Sequence, residues 1–318
     1  MESFAKVKGQ EKVIGVLQRA MQTGNISHAY LFSGPRGTGK KMTAEFFGEE
    51  ILIQDDPGGK AYLKDRVHPD YLFVDRAEKK SLIGIEKITR ELEPWLGTKP
   101  YRAEHRVAII REAHLLSPTA ANALLKTLEE PPNYAVIILV SDENNLLETI
   151  VSRCQHIRFA PLSEEVIEDM LTNKGVEPEQ AKVYARLGQG SMSQAMACAE
   201  DGLFEDVWPV TREMITDLSS GKQIEVFRAA ERMEKQPMII NLAEVILRDL
   251  YVYQETGQSS QLLIPSNSEW CKHFKELNTA YVRRALFNIA DLKKQLTTSV
   301  NTLLLCINIS YEMLDALQ

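Results

Sequence analysis

The stretch Tyr30–Lys41, Tyr-Leu-Phe-Ser-Gly-Pro-Arg-Gly-Thr-Gly-Lys-Lys, constrains this chain more than any other. An apolar run passes directly into a glycine loop that ends in lysine. Gly34, Gly39 and Lys40 have the spacing of a phosphate loop, with four residues between the glycines and then lysine. Glycines let the backbone curl so that successive N–H groups face one phosphate. The following helix starts there with its positive end toward the same anion. Gly34, Gly37, Thr38, Gly39 and Lys40 are therefore the candidate phosphate-loop residues. The motif needs Ser or Thr after its lysine, whose hydroxyl binds magnesium, and this chain has Lys41. The loop reads as built for phosphate and unsuited to the metal.

The surrounding pattern supplies the scaffold such a loop requires. Residues 10–22 predict an amphipathic helix with Val13, Val16, Leu17 and Met21 on one face, ended by Gly24-Asn25. Apolar strands are predicted at 29–32, 71–74, 106–110 and 135–140. Helices are predicted at 40–53, at 83–92 with a break at Pro94, and from the Ser117-Pro118 cap to Glu130. Near-continuous apolar strands alternating with helices indicate an α/β fold with a parallel sheet covered on both faces. After Arg158 only helical patterns follow, near 163–173, 178–187, 191–200, 205–219, 223–235, 238–256, 278–295 and 298–316, with a polar loop at 257–267. The expected organisation is an α/β domain over 1–160, a small helical lid over 161–203 and an all-α domain over 204–318.

Composition narrows the function classes. The formal charge of -7 argues against nucleic-acid binding through the whole surface, while a local basic face stays open. Lys79, Lys80, Lys87, Arg90, Lys99, Arg102 and Arg106 offer such a face, or else ordinary solvated charges. The four cysteines, Cys154, Cys198, Cys271 and Cys306, lack metal spacing and read as small buried hydrophobes. The N-terminal Met-Glu-Ser-Phe-Ala-Lys lacks an apolar signal core, and no apolar run reaches about 18 residues. A cytoplasmic protein without membrane partners is expected.

A phosphate-loop hydrolase also needs an acidic pair at the end of an apolar strand. The candidate is Val107-Ala108-Ile109-Ile110-Arg111-Glu112. Arg111 stands where the metal-holding acid belongs, and Glu112 remains. An arginine repels the ion and offers it no oxygen.

Three elements carry a family resemblance: Ser27-His28-Ala29-Tyr30-Leu31-Phe32 before the loop, Ala120-Ala121-Asn122-Ala123-Leu124-Leu125-Lys126-Thr127-Leu128-Glu129-Glu130-Pro131-Pro132, and Ser152-Arg153-Cys154. Over about residues 1–200 they resemble the AAA+ clamp-loader subunits of bacterial DNA polymerase III, most closely the delta-prime branch. The C-terminal helices match the family's oligomerising collar in type and length. The resemblance implies a hetero-oligomer of five subunits that loads the sliding clamp onto primed DNA, with tau/gamma and delta subunits as partners. It implies that Arg153 is an arginine finger entering a neighbour's ATP site in trans. Ser141 falls at the phosphate-sensing position. Ser193 falls where the lid arginine is expected. Lys41, Arg111 and Ser193 are then three lost positions for metal and hydrolysis, beside a kept finger. The implied subunit scaffolds the complex, is not an ATPase alone and requires no cofactor. Many relatives carry four zinc-binding cysteines near residues 48–67, where this chain has none, so no zinc is expected.

Beyond the resemblance, Lys41 and Arg111 would both approach the space vacated by magnesium. ATP or ADP held without metal is one expectation. An empty loop, with Lys40 and Lys41 paired to Glu112 or nearby carboxylates, is the other. Two functional alternatives stay open: an active tau/gamma-type ATPase or recombination motor, and a paralogous binding module outside the replisome.

Overall fold

The computed structural model describes residues 2–77, 80–142, 146–199, 203–274, 277–295 and 301–318. Two compact units emerge, one of Met1–Ile167 with Gln189–Ser193, the other of Glu168–Gly188 with Gln194–Gln318. The expected 161–203 lid is thus shared between them.

The first unit is built on a five-stranded sheet: β1 (Ala29–Ser33), β2 (Tyr71–Val74), β3 (Arg106–Ile110), β4 (Ala135–Ser141) and β5 (Gln155–Arg158), in the order β2-β3-β4-β1-β5. Every pairing is parallel. Because alternate side chains of a strand face opposite ways, two cores result. Tyr30, Phe32, Val136 and Ile138 face the Glu11–Thr23 and Lys40–Asp55 helices, where the Tyr30 ring meets Phe47 edge-on at 5.0 Å. Ala29, Leu31, Ile137 and Leu139 face the other way, among Ile88, Leu92, Leu124 and Leu128. β1, β3 and β4 are buried throughout, which is why they read as unbroken apolar runs.

Two local departures from the sequence reading have physical causes. The strand β5 is not legible in Gln-His-Ile-Arg, because an edge strand with one buried residue, Ile157, has no apolar signature. The expected break at Pro94 does not occur. Lys87–Leu92 forms a π-helical turn and Glu93–Leu96 continues it as α-helix. The Glu93 N–H bonds to Ile88 O, five residues back. The wide turn shifts the ladder just before Pro94, which has no N–H to contribute.

Two polar anchors, one buried and one partly buried, fix the rim at the start of β2 and β3. The Asp70 carboxylate accepts from the Tyr101, Arg102 and Ala103 N–H groups at 2.7, 2.7 and 3.0 Å, and from Arg106 Nε at 3.2 Å. Burial pushes the Asp70 pKa up, but those donors more than reverse it, leaving it below the ordinary value. His105 Nδ1 lies 2.9 Å from Asp55 Oδ2 at the end of the Lys40–Asp55 helix. Arg106 is buried and committed to Asp70, Trp95 and Thr98, which removes it from the expected basic face. Lys80, Lys87 and Arg102 pair with Glu86, Glu91 and Asp56, and Lys79 lies outside the described residues.

In the second unit, the helices Leu203–Ser219, Gln223–Lys235, Met238–Thr256, Thr279–Gln295 and Thr302–Leu317 pack around Met233, Ile246, Leu247, Leu250, Ile309 and Met313. The 257–267 loop is anchored by Asp249, which accepts from Leu263 and Ile264 N–H at 2.7 and 3.1 Å. Among the described residues no helix is long and apolar enough to cross a membrane.

Candidate functional site

The glycine loop leaves the carboxyl end of β1, between β4 and β5, the edge where open parallel sheets hold ligands. Gly39 caps the Lys40–Asp55 helix at φ 92°, so the helix starts at the loop as the motif requires. Gly37 sits at φ 77°, and a Cβ there would meet Ser191 Oγ at 2.2 Å and Ser193 Oγ at 2.4 Å. Thr38 is buried and its hydroxyl donates to Pro35 O at 2.9 Å. Gln10 Nε2 donates to Ala160 O at 2.7 Å and Thr38 O at 3.4 Å, tying the loop to the chain before and after it.

Lys40 is 3 % exposed. Its Nζ donates to Gly34 O and Pro35 O at 2.7 and 2.5 Å and lies 2.7 Å from Asp142 Oδ1. Burial lowers its pKa and Asp142 opposes that shift. The lysine of the glycine loop is thus paired from within the unit. Asp142 directly follows Ser141, which is fully buried at the end of β4 opposite Ser33. The segment Gln189–Ser193 closes on Gly37: Met192 N–H donates to Gly37 O at 3.0 Å, and the Ser191 and Ser193 hydroxyls lie 3.1 Å apart.

Arg111 is engaged by carboxylates of its own unit. Its guanidinium is bound by both oxygens of Asp75, lies 3.6 Å from Glu45 and stacks 5.0 Å over the Phe73 ring. Asp75 first, then Glu45, hold its pKa above the ordinary value. The register explains the partner: Val74 pairs with Ile110, so the next residues, Asp75 and Arg111, leave the sheet side by side. Glu112 adopts φ 53° and pairs with Arg76 at 3.7 Å. Lys41 is exposed, and among the described residues no carboxylate pairs with it. The residues here do not fit magnesium. The hydroxyl ligand is replaced by Lys41, the strand end carries Arg111, and Asp142 and Asp75 are already committed to cations.

Arg153 lies elsewhere on the unit. It follows the Glu148–Val151 helix and precedes β5. Its Nη1 donates to Thr149 O at 2.9 Å and its Nη2 to Glu129 Oε1 at 2.6 Å. The neighbouring Cys154 packs against the second core, and burial pushes its thiol up to about 12.

The structure packs Gly37 against Ser191 and Ser193, seats Lys40 on Gly34, Pro35 and Asp142, and commits Arg111, Glu112 and Arg153 to Asp75, Arg76 and Glu129. Asp142, Asp75, Glu129 and Gln10 escape the sequence reading. The strand-end positions of Asp142 and Asp75 were the available signal.

The sequence comparisons point to DNA polymerase III subunits. Residues 9–163 match a family model described as DNA polymerase III, delta subunit. The chain is 35% identical over 221 residues to DNA polymerase III subunit tau of Bacillus subtilis, covering 68% of this chain and 38% of that protein. It is 33% identical over 217 residues to DNA polymerase III subunit tau of Escherichia coli, covering 64% and 33%. A gamma subunit-related protein of Thermotoga maritima superposes at a TM-score of 0.44 and 16% identity, covering 95% of this chain and 99% of that one. The chain matches less than two fifths of the length of these two tau subunits.

Proposed function

From the premise that this chain belongs to the tau/gamma-type clamp-loader AAA+ family of DNA polymerase III, we propose that it is a non-hydrolysing subunit of the delta-prime kind. It scaffolds the complex and supplies Arg153 to a neighbouring ATPase subunit during sliding-clamp loading. One observation carries this reading: the two metal positions hold cations, one of them locked to Asp75 and Glu45, while Arg153 keeps a half-exposed fork. Arginine suits a finger because it is always charged and its planar donors match phosphate oxygens. In other phosphate-loop enzymes a finger supplied in trans raises turnover by roughly 10³–10⁵-fold. The partners in this reading are tau/gamma and delta subunits, the sliding clamp and primed DNA, in the cytoplasm. No cofactor or zinc is required, and any ATP or ADP in the glycine loop is held without metal, at the cost of parting Lys40 from Asp142.

Reconstitution with tau/gamma and delta subunits tests the reading. Arg153→Ala should lower the DNA-stimulated ATPase of the complex by at least about tenfold, well inside the range for a trans finger, with assembly intact. An unchanged rate removes the finger role. The second reading, an ATPase of tau/gamma type, is favoured by the identity to tau subunits. ATP hydrolysis by the isolated chain would establish it.

A further inference from the structure

The partner of Arg153 is Glu129, the last residue of the Pro118–Glu129 helix. We propose that Glu129 is a positioning residue that restrains Arg153, so that the acid and a neighbour's phosphate compete for the same guanidinium. The proposal rests on the finger reading above and adds a control to it.

Four observations support it. First, the pair joins two separate elements. Glu129 is fixed where Pro131-Pro132 end its helix, and the Arg153 backbone is fixed by Cys154, which packs against the second core. Side-chain rotation alone can therefore make or break the pair. Second, the two ends of the fork are divided. Nη1 holds Thr149 O within its own turn, and Nη2 reaches Glu129 across it. Releasing Nη2 leaves Nη1 as a pivot. Third, the side chains are 34% and 50% exposed, so another chain can reach them. Ion pairs in such a setting are weakly held. A phosphate, with several charged oxygens and a match to both donors, is the stronger partner. Fourth, Glu129 lies at the negative end of its helix, where an unpaired carboxylate is disfavoured. The carboxylate thus has its own reason to recapture the arginine once the phosphate departs.

In a loosely assembled complex, Glu129 would hold the finger back. When assembly brings a triphosphate within reach, the weak pair exchanges for the strong one. Removing the acid should therefore raise idle turnover, through Arg153 alone.

The test is the ATPase rate of the reconstituted complex without DNA, for wild type, Glu129→Gln, Glu129→Asp, Arg153→Ala and the Glu129→Gln/Arg153→Ala double variant. Glu129→Gln should raise the rate roughly two- to fivefold, the range set by loss of a half-exposed pair. Glu129→Asp, which keeps the charge, should return the rate toward wild type. The double variant should be no faster than Arg153→Ala. The restraint is overturned if Arg153→Ala is slow but Glu129→Gln is unchanged or slower than wild type. A rise that persists in the double variant also overturns it. If Arg153→Ala is as fast as wild type with DNA present as well, the finger reading fails, and the restraint fails with it.

Discussion

Replacing Arg111 with alanine separates a structural role for this residue from a role at phosphate. The side chain is 20% exposed, and its guanidinium joins Asp75 beyond β2 to Glu45 of the Lys40–Asp55 helix while covering Phe73. A hydrogen bond to a charged group contributes about 1.5–3 kcal/mol when well shielded. Asp75 is 41% exposed, so the two bonds to it belong at the lower end. The contact with the Phe73 ring adds about 0.5–1 kcal/mol. Removal also leaves Glu45 with only the exposed Arg66, at 3.8 Å, in a region where Glu49 already has a raised pKa from burial and from Glu45. We expect Arg111→Ala to destabilise the first unit by about 2–4 kcal/mol, from the sum of these contributions. At about 2–4 °C per kcal/mol for a domain of this size, the melting point should fall by about 5–15 °C. Thermal unfolding followed by circular dichroism reads this directly. Arg111→Lys should fall between, because lysine keeps the charge but loses the fork and the stack. A melting point within about 2 °C of wild type, below what even 1 kcal/mol would cause, would refute a clamp between β2, β3 and the helix.

Three further outcomes follow from the same geometry. Asp70→Asn turns an amide toward donors that now share a carboxylate and should cost about 3–5 kcal/mol, as for a broken buried ion pair; urea unfolding measures it, and a loss below about 1 kcal/mol counts against the anchor. His105 has a raised folded pKa, first from its hydrogen bond to Asp55. Its contribution is full below its unfolded pKa of about 6.5 and fades as pH rises through the higher folded value, a slope that His105→Gln should flatten in unfolding measured from pH 5.5 to 8.5. For the glycine loop, a fluorescent ADP analogue titrated in EDTA should bind without metal; no binding at millimolar nucleotide, or binding only with magnesium, ends the metal-free proposal.

The legible part of this molecule was the part set by local chemistry. Buried parallel strands are apolar except at their ends, so β1, β3 and β4 stood out, and the Ser117-Pro118 cap placed its helix start to the residue. The edge strand β5 has one buried side chain and left no such trace. The π-helical turn before Pro94 depends on a carbonyl five residues away, which a proline rule does not anticipate.

For the site, the sequence by itself determined which groups are present: a glycine loop with its lysine, cations at Lys41 and Arg111, a serine at Ser193 and an arginine at Arg153. Tertiary structure alone decided what each group does with its charge. Strand register puts Asp75 beside Arg111, the end of β4 brings Asp142 to Lys40, and the end of the Pro118–Glu129 helix delivers Glu129 to Arg153. Pairing depends on distances of a few ångströms between residues 24 to 102 positions apart. Spacing along a chain fixes such distances only within one helix or strand, and these pairs each cross between elements.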